Sequence, residues 1–178
     1  KSATGVKFCA VTAAGNRRQG LSIIDADNVL VTDSIFRDTH GTPPAAGIDM
    51  EPDRREQTVS GARIVNSQFI GNQGAGIKLH GKRSTVKGLE IHHNAFKGNK
   101  PIEIKGDYAG IASAICGNRY LAEESVAGRS DNGLYAYGEA VKMVHEDGGF
   151  VVTLNGTGTC GNSGAAKESA SDDNPLAR

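Results

Sequence analysis

The chain has 178 residues, enough for one domain with its own core, and its 20 Lys and Arg balance its 20 Asp and Glu, so overall charge points to neither nucleic acid nor an anionic membrane surface. It has 24 Gly, no Trp and no apolar run as long as 18 residues, a composition that fits turn-rich β structure and offers neither a membrane-spanning helix nor a helical bundle.

The chain opens Lys1-Ser2-Ala3-Thr4-Gly5, which shows none of the charged and apolar regions of a signal peptide. Residues 6–11 read as a strand, and 13–19 as a turn bearing the adjacent cations Arg17 and Arg18. Gly15-Asn16 precedes Gly20 much as Gly71-Asn72 precedes Gly76. Residues 8–16 therefore read as the end of a coil, and upstream coils are expected to be missing.

From Gly20 onward a pattern recurs. Gly20-Leu21-Ser22-Ile23-Ile24, Gly47-Ile48-Asp49-Met50-Glu51, Gly76-Ile77-Lys78-Leu79-His80 and Pro101-Ile102-Glu103-Ile104-Lys105 each set a small or rigid residue before an apolar, polar, apolar alternation, the mark of a half-buried strand. Positions 20, 47, 76 and 101 are separated by intervals of 27, 29 and 25 residues, a period that belongs to stacked coils or blades. A second echo runs between them: Val31 to Phe36, Ile64 to Phe69 and Ile91 to Phe96 each place an apolar residue five before a phenylalanine. The sequence thus predicts two strands per repeat.

The first complete coil, 20–46, ends in the loop 37–46, which Pro43 and Pro44 stiffen. The second, 47–75, carries the charged insert Pro52-Asp53-Arg54-Arg55-Glu56-Gln57 after Glu51. The third is 76–100, a fourth begins at Pro101, and the period fails near Tyr120. A short helix is expected at 121–129, and two or three strands at 134–154, around Gly148-Gly149, suit a cap over the last open coil. Residues 156–178 are rich in Gly, Ser, Ala and Asp and read as an arm or tail.

Coils of about 25 residues rising by one strand spacing of about 4.8 Å make a parallel β-helix, and parallel crossovers are right-handed. Residues 6–120 resemble the pectin-lyase-like superfamily of right-handed parallel β-helices, which includes pectate lyases, polygalacturonases, uronan epimerases and phage tailspike depolymerases. The expected architecture is all-β: a solenoid of four to five coils over 6–120, a β cap over 121–155 and a tail over 156–178. The resemblance implies a polysaccharide partner and a place outside the cell or on a cell or virion surface. A short stack with an open end also suggests a homotrimer or other chains that complete the helix.

In such a stack Ile48 and Met50 point inward with Leu21, Ile23, Ile77, Leu79, Ile102 and Ile104. One outer column runs Ser22, Asp49, Lys78, Glu103, and the next Ile24, Glu51, His80, Lys105. Asp49 and Glu51 then lie about 6.8 Å apart at their Cα atoms, two strand rises. Paired carboxylates near 6.5 to 9.5 Å suit an inverting glycosidase, one acting as acid and one as base. Asp49, Glu51, Lys78 and His80 are the candidate catalytic residues, and Arg17, Arg18, His40, Asp53, Arg54 and Arg55 the candidate substrate-binding residues. A rival chemistry is β-elimination at a uronate, with Lys78 or His80 as base and an arginine, or a Ca²⁺ on Asp49, Glu51 and Asp53, neutralising the sugar carboxylate. The hydrolase needs no cofactor. The uronan epimerases' Asp-Pro-His-Asp motif is not matched, because Asp49 and Asp53 are four apart and no histidine lies between them. The same columns also read as a solvated ladder of alternating charge on a fibre or glycan-binding module without catalysis.

His92 and His93 stand next to each other in a strand and are expected to face opposite ways, which rules them out as a metal pair. Cys9, Cys116 and Cys160 match no zinc spacing; a Cys116–Cys160 disulfide and buried free thiols are both open.

Overall fold

The computed structural model describes residues 2–80, 86–105, 113–116, 118–121, 134–137, 141–146 and 149–154. Within them the chain winds as an all-β parallel solenoid with four sheets. One sheet stacks Gln19–Ile23, Ala46–Met50, Ala75–His80, Lys100–Lys105 and Leu134–Tyr137 in parallel. A second holds two-residue strands, Ala3–Thr4, Ala26–Asp27, Val59–Ser60 and Val86–Lys87. The third stacks Lys7–Cys9, Leu30–Thr32, Arg63–Val65, Leu89–His92 and Ser113–Cys116. The fourth stacks Thr12–Ala14, Ile35–Arg37, Gln68–Ile70, Ala95–Lys97 and Arg119–Leu121.

Circuits starting at Gln19, Ala46 and Ala75 carry a strand in every sheet, so three circuits are complete among the described residues, fewer than the four to five expected. The hairpin of Val141–Glu146 and Gly149–Leu154 adds antiparallel to Ser113–Cys116 and closes the third sheet at that end. None of the described residues is helical. The helix expected at 121–129 meets a strand at Leu121, its remaining positions lie outside the described residues, and so does the tail at 156–178.

Each circuit has four strands where two were expected: one expected strand is split in two at a residue in the left-handed backbone region, and the two-residue strands of the second sheet, each followed by such a residue (Gly5, Asn28, Gly61, Gly88), are additional. Ala10, Asp33, Asn66 and His93 occupy that region with φ between 48° and 57°, and each falls between a third-sheet and a fourth-sheet strand. The stretches from Val31 to Phe36, Ile64 to Phe69 and Ile91 to Phe96 are therefore each two short strands meeting at a corner. The same corner at Ala10 ends the first strand at Cys9 and starts another at Thr12, where a turn was expected. Behind it runs a buried polar column: Oγ of Ser34 accepts from the Val11 N–H, Oγ of Ser67 from the Ser34 N–H, Oδ1 of Asn94 from the Ser67 N–H, and Oδ1 of Asn118 from the Asn94 N–H. Each coil's side chain thus satisfies an amide of the coil below, which a tight buried corner requires.

Inside, Phe36, Phe69 and Phe96 stack with ring centroids 5.4 and 4.9 Å apart. Their rings lie against the site-bearing sheet's glycines. A Cβ on Gly47 would stand 2.6 Å from the Gly76 carbonyl oxygen and 2.8 Å from Cδ1 of Phe69, so only glycine lets the phenylalanine column close on that sheet. Ile23, Ile48, Met50, Ile77, Leu79 and Ile102 are buried as expected, with Leu21 packed at the partly buried end. No helix among the described residues is long and apolar enough to cross a membrane.

Candidate functional site

The first-named sheet positions the candidate residues. Register pairs Ser22 with Asp49, Asp49 with Lys78 and Lys78 with Glu103, so the expected outer column stands. His80 pairs with Lys105 in the adjoining column. Glu51 continues that column one residue past its strand, its N–H donating to the Ile23 carbonyl at 3.1 Å.

The main difference from expectation is burial. Asp49 faces away from the apolar core, yet it is 0% exposed, and Glu103 is only 6% exposed, whereas Ser22 in the same column is open to solvent. Neither carboxylate oxygen of Asp49 receives a hydrogen bond from an N–H or O–H donor. The group within hydrogen-bonding reach is the Glu51 carboxyl, an acceptor when ionised, so the two bond to each other only when one carries a proton. Burial first, and then the Glu51 charge, push Asp49 from its ordinary range up to about 7, against the opposing pull of Lys78 and Arg18. Two carboxyls this close behave as a pair that shares its protons.

The spacing of about 6.8 Å expected from strand rise is between Cα atoms; side chains at i and i+2 on one face can lean together, and these two carboxyls come within reach of each other.

Arg18 and Lys78 complete the cluster. Nη2 of Arg18 lies 3.7 Å from Oε2 of Glu51, the arginine side chain 57% and the glutamate 21% exposed. Such a pair is worth about 0 to 1 kcal/mol in stability. Lys78 is half-buried on the rung above Asp49.

The other candidates lie elsewhere or do other work. Arg17 turns onto the 37–46 loop, its Nε donating to Oγ1 of Thr42 at 3.2 Å while the Thr42 N–H donates to the Arg17 carbonyl. His40 is exposed on that loop with Nδ1 2.7 Å from the Asp38 carbonyl oxygen. Asp53, Arg54 and Arg55 are exposed on the insert, whose backbone is fixed by Oε1 of Gln57 accepting from the Asp53 and Arg54 N–H groups at 3.0 and 2.9 Å. For His80 the structure gives the backbone position alone.

His92 and His93 correct another expectation. The left-handed backbone at His93, φ 57°, swings its ring back, so Nδ1 of His92 lies 2.8 Å from Nδ1 of His93. Burial first, then the neighbouring His93, lower the His92 pKa. Cys9 is free and exposed, and the Cys116–Cys160 disulfide falls outside the described side chains. Among the described residues no three His, Cys, Asp or Glu side chains are grouped to hold a metal ion.

Comparison with family models agrees with the architecture. Residues 1–141 match the model described as the right-handed β-helix region, and the chain belongs to that family. No curated protein and no solved structure matches the chain.

Proposed function

We propose that this β-helix is a carbohydrate-active enzyme that cleaves glycosidic bonds of an extended, acidic polysaccharide, acting as a hydrolase. The observation that carries the reading is the Asp49–Glu51 pair on the outer side of a solenoid sheet, a fully buried carboxyl without an N–H or O–H donor beside a partly open one, which pushes the Asp49 pKa up. Asp49 is sealed off and Glu51 is partly open, so Glu51 meets the substrate and Asp49 works behind it. The pair acts as one acid: its proton passes from Glu51 to the glycosidic oxygen, and the negative charge left behind is shared by the two carboxyls. Arg18 lies beside Glu51 and suits the carboxylate of an acidic sugar. The base that activates water is then a separate group, for which we take Asp53, exposed on the insert two residues after Glu51 in the sequence.

A solvated charge ladder explains the site less well, since its charges would be exposed and paired, and Asp49 is neither. Uronate-rich and neutral capsular polysaccharides, incubated with the protein, provide the test. New reducing ends without unsaturated-uronate absorbance are expected. Absorbance appearing with the cleavage would make the protein a lyase, with Lys78 or His80 as base, and no product on any uronate polymer would leave a fibre or glycan-binding module. Ca²⁺ dependence would accompany the lyase outcome alone. Glu51→Gln should lower turnover by about 10² to 10⁴ with the fold intact.

A further inference from the structure

A second cluster of titratable groups lies on the outer side of the third sheet, apart from the Asp49–Glu51 pair. Nδ1 of His92, at the end of Leu89–His92, is 2.8 Å from Nδ1 of His93, and the two rings stand at 89° with their centres 5.1 Å apart. That separation is the contact distance plus one ring radius at each end, so the two nitrogens point straight at each other. Such a contact holds one proton and one lone pair; two lone pairs, or two N–H groups, would repel.

Glu90 decides which ring donates. Its Oε2 accepts from Nε of Arg63 at 2.7 Å and lies 3.7 Å from Nε2 of His92. A carboxylate there favours a proton on Nε2 of His92, which leaves the lone pair on Nδ1, and the N–H in the contact is then that of His93. The first proton the pair gains goes to Nε2 of the exposed His93 and leaves the contact whole. A second has only Nδ1 of His92 to bind, where it meets the His93 N–H head-on.

We propose that the His92–His93 contact is a proton-operated latch on the corner between the third and fourth sheets, closed while at most one ring is cationic and open when both are. None of its groups belongs to the Asp49–Glu51 site, so it stands apart from the proposed function. What the latch fastens is the corner itself. His93, at φ 57°, directly precedes Asn94, whose N–H donates to Oδ1 of Asn118 and whose Oδ1 accepts from the Ser67 N–H in the buried column. The same corner in the first complete circuit is tied across the same two positions, by Oγ1 of Thr32 donating to Oδ2 of Asp33 at 2.8 Å, a bond that needs no titrating proton.

The charged and titratable groups facing His92 are Glu90 on its own strand, Arg63 on the strand below and His93 at the corner. Val65 lies beneath it, and Cys116 holds the paired position above. Burial first, and then His93, lower the His92 pKa against the pull of Glu90, the direction that a head-on contact demands. The unfolded chain thus binds more protons than the native one just below about pH 6.5, and the His92 contribution to stability is full above that pH and lost as pH falls toward the lowered value.

The experiment is a long-range ¹H–¹⁵N NMR titration of the imidazole rings of the full chain from pH 8 to pH 4.5, with signals assigned by their loss in His92→Gln and His93→Asn. Asparagine is a mild change at the corner, because Asn66 holds the equivalent place one circuit below at φ 48°. At pH 8 the unprotonated nitrogens should be Nδ1 of His92 and Nε2 of His93. On acidification His93 should become cationic first and His92 second, and rapid hydrogen exchange of the Asn94 amide should begin with the second step. His93→Asn should raise the His92 midpoint by roughly 1 pH unit, the coupling that divides a pair into two steps. Any other pair of tautomers at pH 8, two cationic rings with the Asn94 amide still protected, or a His92 midpoint that His93→Asn leaves unchanged or lowers would overturn the proposal. Tautomers and the order of the steps are read on the parent chain, and they decide the matter even if His93→Asn does not fold.

Discussion

Asp49→Asn should make the protein more stable at pH 8 and leave it nearly unchanged at pH 4.5. The folded Asp49 titrates at about 7, and an unfolded aspartate near 3.9. Between those values the native state binds more protons than the unfolded state, so the Asp49 contribution is full below about pH 4, declines as pH rises through about 7, and is flat above. A difference of about 3 pH units corresponds to at most about 4 kcal/mol. Sharing of the proton with Glu51 and the nearby Arg18 and Lys78 charges reduce that to roughly 2 kcal/mol. Asparagine has the same shape, stays neutral and can donate to Glu51, so the variant avoids the cost of ionising a buried group. For a chain of this size the gain at pH 8 is about 4 to 8 °C in the unfolding midpoint. Circular dichroism melts of parent and variant from pH 4.5 to 8.5 supply the assay. A midpoint difference that stays constant across that range, or an Asp49→Asn protein less stable than the parent at pH 8, would refute the reasoning.

The remaining predictions concern chemistry and packing. Turnover of the parent should fall as pH rises through about 7, where Asp49 loses its proton, and Arg18→Ala, by removing a charge that opposes that proton, should move the fall to higher pH in an activity profile. Ile77→Asp puts an unpaired charge among Ile48, Leu79 and Ile102 and should abolish the β circular dichroism signal; a folded variant would mean that the inward register is wrong. Gly47→Ala drives a methyl against the Gly76 carbonyl and the Phe69 ring and should cost about 1 to 3 kcal/mol in urea unfolding.

Register in the site-bearing sheet is legible in sequence because its first four strands are five or six residues long, enough for alternation to declare a face. Ile48 and Ile77, or Asp49 and Lys78, can be aligned by eye from the glycine before them. Most strands of the other sheets have two to four residues, too few to alternate clearly, and the corners between the third and fourth sheets fall on Ala10, Asp33, Asn66 and His93, with no residue type in common. The signal that was present is one position further on, in Ser34, Ser67 and Asn94: small polar residues whose side chains cap the amide of the coil below. His93 shows how much rides on this, since reading it as strand sent its ring to the wrong side.

Burial of the site was not legible, for a different reason. Alternation assigns a residue to one side of a sheet, and says nothing of whether that side meets water. Ser22, Asp49, Lys78 and Glu103 share one outer column, and along it the structure runs from exposed to buried, to half-buried, to buried. A ladder on a solvated face would leave each carboxylate free to ionise at little cost, and its net effect on the fold would be small. Asp49 instead faces a buried position without an N–H or O–H donor and beside a like charge, two effects of the same sign that hold its proton to about pH 7. Strand pairing does not require that arrangement, because a serine occupies the equivalent place one rung below at Ser22. Groups whose burial and neighbours shift their titration together concentrate where proton transfer is used, and for that reason the proposed site is centred on the Asp49–Glu51 pair rather than on the more numerous exposed arginines.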